Sequence, residues 1–210
     1  MRRPVANMGT RRAMSNLGLL RAVLWTLVAV AGLGAVGLYT YSATRPSLTQ
    51  NLGDGDYQLT TASGEAFDRQ SFAGAPSMLF FGFTHCPEVC PTSLAEMTSW
   101  YEALGEEAKD LKAYFVTIDP ERDTADIIGD YVAWTGHVTG VTGTPEEIEK
   151  AAKAWAIYYQ KVPLEDGDYT MDHTASIFLL NREGNFEGTI AYREDSATAL
   201  AKLRKLLAEG

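Results

Sequence analysis

The sequence predicts an α/β fold, in which helices cover both faces of a mixed β-sheet, behind a single N-terminal transmembrane helix. Three observations support this prediction. An uncharged stretch of twenty residues, 22–41, follows a basic leader. After residue 56, short apolar runs alternate with longer segments in which apolar residues recur every three or four positions. This alternation is typical of buried strands and amphipathic helices that pack as βα units.

The stretch 22–41 is long and apolar enough to cross a membrane, since a helix rising about 1.5 Å per residue spans the roughly 30 Å hydrocarbon core. Five arginines and no acidic residue precede it. The positive-inside rule therefore places residues 1–21 in the cytoplasm and the later residues across the membrane. A cleaved signal peptide is the alternative, but its hydrophobic region is usually shorter and ends in a small-residue cleavage site. We predict an uncleaved anchor, followed by a polar tether at 42–56.

The charge of the remaining chain excludes several classes of partner. All 27 acidic residues follow Tyr41, but only 13 of the 18 basic ones do, so this part has a formal net charge of −14. Such a surface does not suit nucleic acid or an anionic membrane face. The segment 57–210 is long enough for one hydrophobic core and too short for two comfortable domains. We expect a single domain held outside the cytoplasm.

The elements of this domain follow from the spacing of apolar residues. Continuous apolar runs predict strands buried on both faces, and two runs joined by a short turn predict a hairpin. The pair Thr144-Pro145 begins a helix, because it combines a capping box with proline at the first helical position. The predicted strands are 57–61, 78–84, 111–118, 137–141, 175–180 and 186–192, and the predicted helices are 91–104, 124–134, 144–159 and 196–209.

The helical stripes indicate which side chains face the core. In the second helix we expect Ile127, Ile128 and Tyr131 to point inward. In the last helix the stripe is the leucine series 200, 203 and 207. Given right-handed crossovers, this order of elements leaves few topologies, and the thioredoxin-like fold is the natural one.

Both cysteines of the chain lie at the end of a predicted buried strand, within the segment LFFGFTHCPEVCP. Cys86 follows strand 78–84, and Cys90 precedes helix 91–104. A helix N-terminus favours thiolate over thiol, and ligands gather at the carboxyl ends of strands in open α/β sheets. Three residues separate the cysteines, whereas thioredoxin-type oxidoreductases have two. On a helix this spacing places both sulfurs on one face, where they can bind a soft ion such as Cu(I) or zinc.

Three histidines are candidates for a third ligand. His85 is adjacent to Cys86 and tends to point away from it in extended or turn geometry. His137 lies in a loop segment without acidic or thiol neighbours, which is typical of a surface residue. His173 immediately precedes strand 175–180. In a thioredoxin-like sheet the loop that enters this strand passes close to the helix N-terminus, which favours His173.

Five other polar or soft side chains have structural interpretations. Asp172 can orient the histidine loop or its ring. Met171 is a possible soft ligand, but methionine more often packs in a core. The segment DPERDT contains Asp119, Arg122 and Asp123. We interpret it as a turn in which an aspartate caps and an arginine–carboxylate pair fixes the loop, rather than as direct chemistry.

The motifs resemble those of the Sco/SenC copper chaperones of cytochrome c oxidase assembly. The resemblance runs from about Tyr57 to the C-terminus and includes the N-terminal anchor. Glu88 stands where the family often has aspartate, a mild departure because both are acidic. The segments that resemble the family's motifs are FGFTHCPEVCPTSL (81–94), VTIDPERDT (116–124), GVTGTPEEI (140–148), YYQKVP (158–163) and DYTMDHTASIFLLNREG (168–184).

The resemblance implies a thioredoxin-like domain that binds one copper ion, Cu(I) or Cu(II), through Cys86, Cys90 and His173. It also implies subunit II of cytochrome c oxidase as the partner, besides other periplasmic copper carriers or thioredoxin-like reductants. The expected location is the bacterial inner membrane, crossed once, with the domain in the periplasm. The mitochondrial inner membrane facing the intermembrane space is the alternative. Such a protein is a carrier rather than an enzyme.

Other functions use the same two thiols. In a thiol–disulfide oxidoreductase, Cys86 and Cys90 would be the attacking and resolving groups for cysteines of a partner such as oxidase subunit II. The spacing and the added histidine favour the carrier. A thioredoxin-superfamily peroxidase has no need of the histidine or the paired thiols. A purely structural disulfide would close only a small loop and constrain the unfolded chain little.

Overall fold

The structure is a computed structural model that describes residues 11–43, 51–165 and 167–209. Its contacts divide the chain into an N-terminal helical unit and a larger α/β unit. In the first unit, helix α1 runs from Arg11 to Ala43. Its segment Leu17–Tyr41 is long and apolar enough to cross a membrane, and the side chains of this segment are exposed. The predicted span 22–41 lies within it.

The larger unit is built on a mixed sheet that, within the described residues, has seven strands in the order β2-β1-β5-β4-β3-β8-β9. The three central strands β3, β4 and β5 are parallel, and the outer strands pair antiparallel. A separate two-stranded sheet consists of β6 and β7. The strands are β1 Leu59–Thr61, β2 Ala66–Phe67, β3 Ser77–Gly82, β4 Lys112–Thr117, β5 Val138–Thr142, β6 Tyr159–Pro163, β7 Tyr169–His173, β8 Ile177–Leu180 and β9 Phe186–Ile190.

Helices cover both faces of the seven-stranded sheet, as consecutive residues of β8 show. Phe178 packs edge-on against Trp155, which directly follows α4. Leu179, the next residue, lines a surface cavity together with Leu206 of α5. Since consecutive strand residues point to opposite faces, α4 and α5 lie on opposite sides, which confirms the predicted thioredoxin-like fold. The helices are α2 Val89–Leu104, α3 Ala125–Ala133, α4 Pro145–Ala154 and α5 Ser196–Glu209.

Two predicted helical stripes differ from those observed. In α3, Ile127 is 42% exposed, and the fully buried positions are Ile128 and Val132. The prediction for Ile127 was wrong because the buried face of α3 is centred on Ile128 and Val132, which are four residues apart. Ile127 points about 100° away from Ile128 around the helix axis. In α5 the buried line runs through Ala199, Leu203 and Leu206, and the predicted leucines 200 and 207 pack at its margins.

Helix α4 ends five residues before the predicted end at residue 159. Its start is as predicted, since the Thr144 side chain accepts the backbone N–H of Glu147 and Pro145 is the first residue. Its end is set by Ala156, which has a left-handed backbone with φ of 52°. The chain then turns into β6. The hairpin β6–β7 was not predicted, because its strands are half-exposed and rich in polar residues and so lack an apolar run.

Residues 51–56, assigned to the tether by composition, contact the domain. The N–H of Gly53 donates to the carbonyl oxygen of Ala154 at 2.8 Å. Gly53 has a φ of 87°, and a Cβ there would lie 2.3 Å from the ring of Trp155. Only glycine combines this backbone with so close an approach.

Candidate metal centre

The two cysteines are positioned by the junction between β3 and α2. Strand β3 ends at Gly82, and the N–H of Cys86 donates to the carbonyl oxygen of Phe83 in the turn that follows. Cys90 lies in the first turn of α2 and is fully buried, whereas Cys86 is half-buried. A Cβ on Gly82 would lie 2.8 Å from the Sγ atom of Cys90. The sequence analysis did not identify Gly82, although its place at the end of the apolar run before the cysteines was a signal.

The third member of the cluster is His173, the last residue of β7. Its Nε2 atom lies 3.8 Å from the Sγ atom of Cys90. The ligand-type atoms of Cys86, Cys90 and His173 all lie within 4.8 Å of one another. Both cysteines are free thiols. The structure thus brings together the three residues that the sequence analysis selected.

The two sulfurs differ in their electrostatic environment. Hydrogen bonds from the Cys90 side chain, the largest cause, and from the Cys90 backbone N–H lower the pKa of Cys86 to about 4, although partial burial opposes them. The Cys90 backbone N–H lies 3.3 Å from this sulfur. The pKa of Cys90 is raised, because its thiol donates to Cys86 and because it is buried. The reduced pair therefore holds a thiolate on Cys86 and a thiol on Cys90 at neutral pH.

The orientation of the His173 ring leaves a lone pair directed at the cysteines. Its Nδ1 atom lies 2.9 Å from the carbonyl oxygen of Thr174. A carbonyl only accepts hydrogen bonds, so Nδ1 carries the proton and the Nε2 atom of the neutral ring is an acceptor. The ring also packs edge-on against Phe83 at a centroid distance of 5.9 Å. The ring is thus oriented by a backbone carbonyl, whereas the sequence analysis suggested the exposed Asp172.

The other candidate ligands lie outside this cluster. His85 is exposed, with its Nδ1 atom 3.1 Å from the hydroxyl of Thr84. The ring of His137 stacks on Tyr101 at a centroid distance of 4.2 Å. Met171 is buried in the hydrophobic core, as expected for a packing residue.

The segment DPERDT is a hydrogen-bonded loop, as expected. Asp123 is completely buried and its carboxylate accepts three hydrogen bonds. Two come from the backbone N–H and hydroxyl of Thr84, at 3.0 and 2.6 Å, and one from the hydroxyl of Thr117 at 2.6 Å. Asp119 forms an ion pair with Arg122. Because Thr84 is two residues before Cys86, the loop supports the cysteine segment.

The candidate site is open to the surface. A cavity of about 290 Å³ is lined by Cys86 and His173, together with Phe83, Pro87 and Met171. Cys86 therefore faces a space that a ligand or another molecule can enter, while Cys90 lies beneath it. The arrangement offers two sulfurs and one imidazole nitrogen from one accessible side.

The chain resembles proteins of one family. The SCO1/SenC family model matches residues 45–208. The mitochondrial SCO1 homolog of Homo sapiens is 39% identical over 136 residues, which are 63% of this chain and 45% of that protein. The mitochondrial SCO2 homolog of Bos taurus is 31% identical over 194 residues, 86% of this chain and 73% of that protein. Against the human protein and several other curated relatives, the match spans about half of their length.

Solved structures of the same kind share the fold. The structure of Bradyrhizobium japonicum ScoI with copper bound is 42% identical, has a TM-score of 0.67, and aligns over 72% of this chain and 98% of that one. Yeast Sco1 with copper bound is 27% identical, has a TM-score of 0.70, and aligns over 76% of this chain and 90% of that one. The aligned part corresponds in size to the larger unit.

Proposed function

Because the chain belongs to the SCO1/SenC family, we propose that it is a membrane-anchored metallochaperone that binds one copper ion through Cys86, Cys90 and His173. The observation that carries this proposal is the convergence of their three ligand atoms within 4.8 Å. Copper-bound structures of two relatives support the choice of metal. The ion is cargo that the protein receives and passes on.

The donor set suits copper better than zinc. Thiolate and imidazole both bind copper, and three such donors complete a three-coordinate Cu(I) site. Structural zinc sites are almost always four-coordinate. In the part of the chain that the structure describes, only these three residues form a group of metal-ligating side chains of this kind. The open cavity beside Cys86 allows a partner's ligands to replace those of the carrier one at a time.

The chain's own groups are prepared for this role. Cys86 is already a thiolate at neutral pH, and the Nδ1 contact of His173 with the Thr174 carbonyl turns its Nε2 atom towards the sulfurs. Cys90 must lose its proton when the ion binds, because the metal ligand is the thiolate. Burial of Cys90 limits the access of water to that sulfur.

We place the anchor at residues 22–41, after a basic cytoplasmic segment 1–21, with a tether at 42–56 and the copper-binding domain at 57–210. The domain then lies in the periplasm or, if the protein is mitochondrial like its human and bovine relatives, in the intermembrane space. The proposed recipient is subunit II of cytochrome c oxidase. The acidic surface of the domain speaks against nucleic acid as a partner.

A thiol–disulfide oxidoreductase is the second candidate. The observation in its favour is the low pKa of Cys86, a half-buried thiol beside a cavity, with a second free thiol four residues later. A low pKa and partial exposure are the usual features of an attacking cysteine. The two functions are compatible, because copper can be loaded only while both thiols are reduced.

Copper titration of the full-length, reduced protein in detergent tests the proposal. We expect one Cu(I) per chain, and Cys86→Ser, Cys90→Ser and His173→Ala should each lose more affinity than the about 10–100-fold typical of residues that only support a ligand. His137→Ala, remote from the cluster, is the control and should bind normally. Absence of tight copper binding, with rapid cycling of Cys86 and Cys90 to a disulfide, would favour the oxidoreductase instead.

A further inference from the structure

The histidine of the candidate site lies in a different sheet from β3, the strand that leads into the cysteines. Among the described residues, β6 and β7 pair with each other and with no strand of the seven-stranded sheet. Cys90 and His173 are separated by 83 positions in sequence. The ladder of the main sheet holds β8, which begins four residues after His173, but it does not include β7. Side-chain contacts of β7 are therefore needed to hold the rest of the strand.

The loop between β4 and α3 contacts both halves of the site. At one end, Asp123 holds Thr84 in the cysteine segment by two hydrogen bonds. At the other end, the buried carboxylate of Asp119 accepts the hydroxyl of Tyr169 at 2.8 Å and the Nε–H of Arg122 at 2.5 Å. Five consecutive residues thus join the cysteine segment to the first residue of β7.

Arg122 also contacts Tyr169 directly. Its Nη1 atom donates to the carbonyl oxygen of Tyr169 at 2.9 Å and to the carboxylate of Asp168 at 3.1 Å. Its guanidinium lies 3.7 Å from the centroid of the Tyr169 ring. The side chain is only 16% exposed, and that of Asp119 is fully buried. A planar, five-donor group suits this simultaneous contact with a carboxylate, a carbonyl and a ring.

Strand β7 connects Tyr169, which these contacts hold in place, to His173. Tyr169 and His173 are the first and last residues of β7, four positions apart, so they lie on the same face of the strand. Met171 lies between them on that face and is buried in the core. Pairing with β6 keeps β7 extended, from Pro163 opposite Tyr169 to Tyr159 opposite His173. A shift of Tyr169 would therefore displace the imidazole.

We propose that Asp119 and Arg122 are positioning residues for His173: they clamp Tyr169 and so hold the imidazole at the distance from Cys86 and Cys90 that a metal requires. This inference rests on the proposed function, because it gives the clamp a role in metal binding. Neither residue contacts the metal-ligating atoms, and their effect passes through β7.

The test uses the full-length reduced protein in detergent, with copper as the probe. Arg122→Gln should weaken copper binding by about 10-fold, the lower end of the range for groups that support a ligand. Tyr169→Phe, which removes only the hydroxyl bound to Asp119, should have a smaller effect in the same direction. Lys161→Gln is the matched control. Its ammonium also lies over the Tyr169 ring, at 4.5 Å, but its ion pair with Glu121 is exposed, so binding should be unchanged.

Two readouts separate positioning from a general loss of structure. In the Cu(II) form, the nitrogen coupling from His173 in the electron paramagnetic resonance spectrum should weaken in Arg122→Gln and persist in Lys161→Gln. Alkylation of Cys86 in the metal-free protein should keep its rate, because Asp123 still holds the cysteine segment. In a double-mutant cycle, Tyr169→Phe should cost nothing more once His173→Ala is present.

Results that contradict the positioning role of Asp119 and Arg122 differ from results that contradict the proposed copper binding. If folded Arg122→Gln and Tyr169→Phe bind copper with unchanged affinity and spectrum, the clamp does not position His173. The same holds if Tyr169→Phe weakens binding equally in the His173→Ala background. If the unmodified protein binds no copper, the proposed function fails. The positioning role of Arg122 is then tested without metal, through proton contacts between the His173 and Phe83 rings measured by nuclear magnetic resonance. They should disappear in Arg122→Gln and remain in Lys161→Gln.

Discussion

The Nε2 atom of His173 lies 3.8 Å from the Sγ atom of Cys90, although Cys90 lies on the helix that follows strand β3 of the main sheet and His173 lies in the separate β6–β7 sheet. The contact joins a buried thiol at the start of α2 to an imidazole at the end of β7. It defines the candidate metal centre, and the site and its surroundings lead to five predictions.

The first prediction concerns the reactivity of Cys86. Its pKa of about 4 means that the thiolate persists from neutral pH down to about pH 5. Alkylation of the reduced, metal-free protein by iodoacetamide should therefore proceed at a nearly constant rate between pH 5 and 8 and slow below about pH 4. Cys90→Ala should move this midpoint upward, because it removes the largest cause of the shift. A midpoint near the ordinary value of about 8.5 would contradict the assignment of the thiolate.

The same pair sets a pH dependence of stability in the reduced protein. The folded pKa of Cys86 is depressed, so its contribution is present above the unfolded value of about 8.5 and is lost as the pH falls towards 4. The folded pKa of Cys90 is raised, so its contribution is lost as the pH rises above that value. Denaturant unfolding of the reduced protein should therefore show greatest resistance near pH 8, relative to the oxidised protein, whose sulfurs do not titrate.

Gly82→Ala should destabilise the fold and weaken copper binding together. The added methyl would lie 2.5 Å from the ring of Phe115 and 2.8 Å from the Sγ atom of Cys90. Overpacking of this kind costs about 1–3 kcal/mol of unfolding free energy, and here it also displaces a sulfur. Gly129→Ala, which meets one methyl group at 3.1 Å, is the control and should change stability less. Normal copper affinity in folded Gly82→Ala would contradict the close packing at Cys90.

Two tyrosines provide a matched test of buried hydroxyl groups. The hydroxyl of Tyr131 is buried and has no hydrogen-bond partner among the described residues, whereas that of Tyr101 donates to the carbonyl oxygen of Leu111 at 2.9 Å. Thermal unfolding should show Tyr101→Phe destabilised by about 1 kcal/mol and Tyr131→Phe unchanged or slightly stabilised. A clear loss in Tyr131→Phe would mean that its hydroxyl has a partner, and the nearby sulfurs would be the first to examine.

Asp123→Asn should be the most damaging of the polar changes. The carboxylate accepts hydrogen bonds from one backbone N–H and two hydroxyl groups, and an amide would replace these charge-assisted bonds with weaker neutral ones. The expected cost is about 3 kcal/mol of unfolding free energy, with a weaker hold on the cysteine segment. Asp126→Asn, on the exposed first turn of α3, is the control and should change stability by a few tenths of a kcal/mol. Equal stability of the two variants would contradict the role of Asp123.

The parts that could be predicted from the sequence are those with a strong local pattern. The apolar run before Cys86 predicted β3, and the Thr144-Pro145 pair predicted the start of α4. The two cysteines and His173 were selected from the sequence as a metal site, and the structure brings their ligand-type atoms within 4.8 Å of one another. The central strands and α5 were placed to within a few residues.

Elements that depend on distant contacts could not be predicted. The end of α4 depends on the left-handed Ala156, a residue type that gives no signal for such a turn. The hairpin β6–β7 has no apolar run, and its position depends on Asp119, Arg122 and Tyr169, which lie on two separate segments. Gly82 has its role only because Cys90 folds back against it.

The separate β6–β7 sheet divides the site between two parts of the scaffold that share no strand pairing and are joined through the loop between β4 and α3. Within the described residues, the hairpin makes no strand pairing with the main sheet, so changes in its sequence leave the framework of the thiols intact. Replacing one imidazole on such an appendage would convert a metal carrier into a dithiol protein without a new fold. A lineage of these proteins can thus exchange one chemistry for the other through changes in a single hairpin.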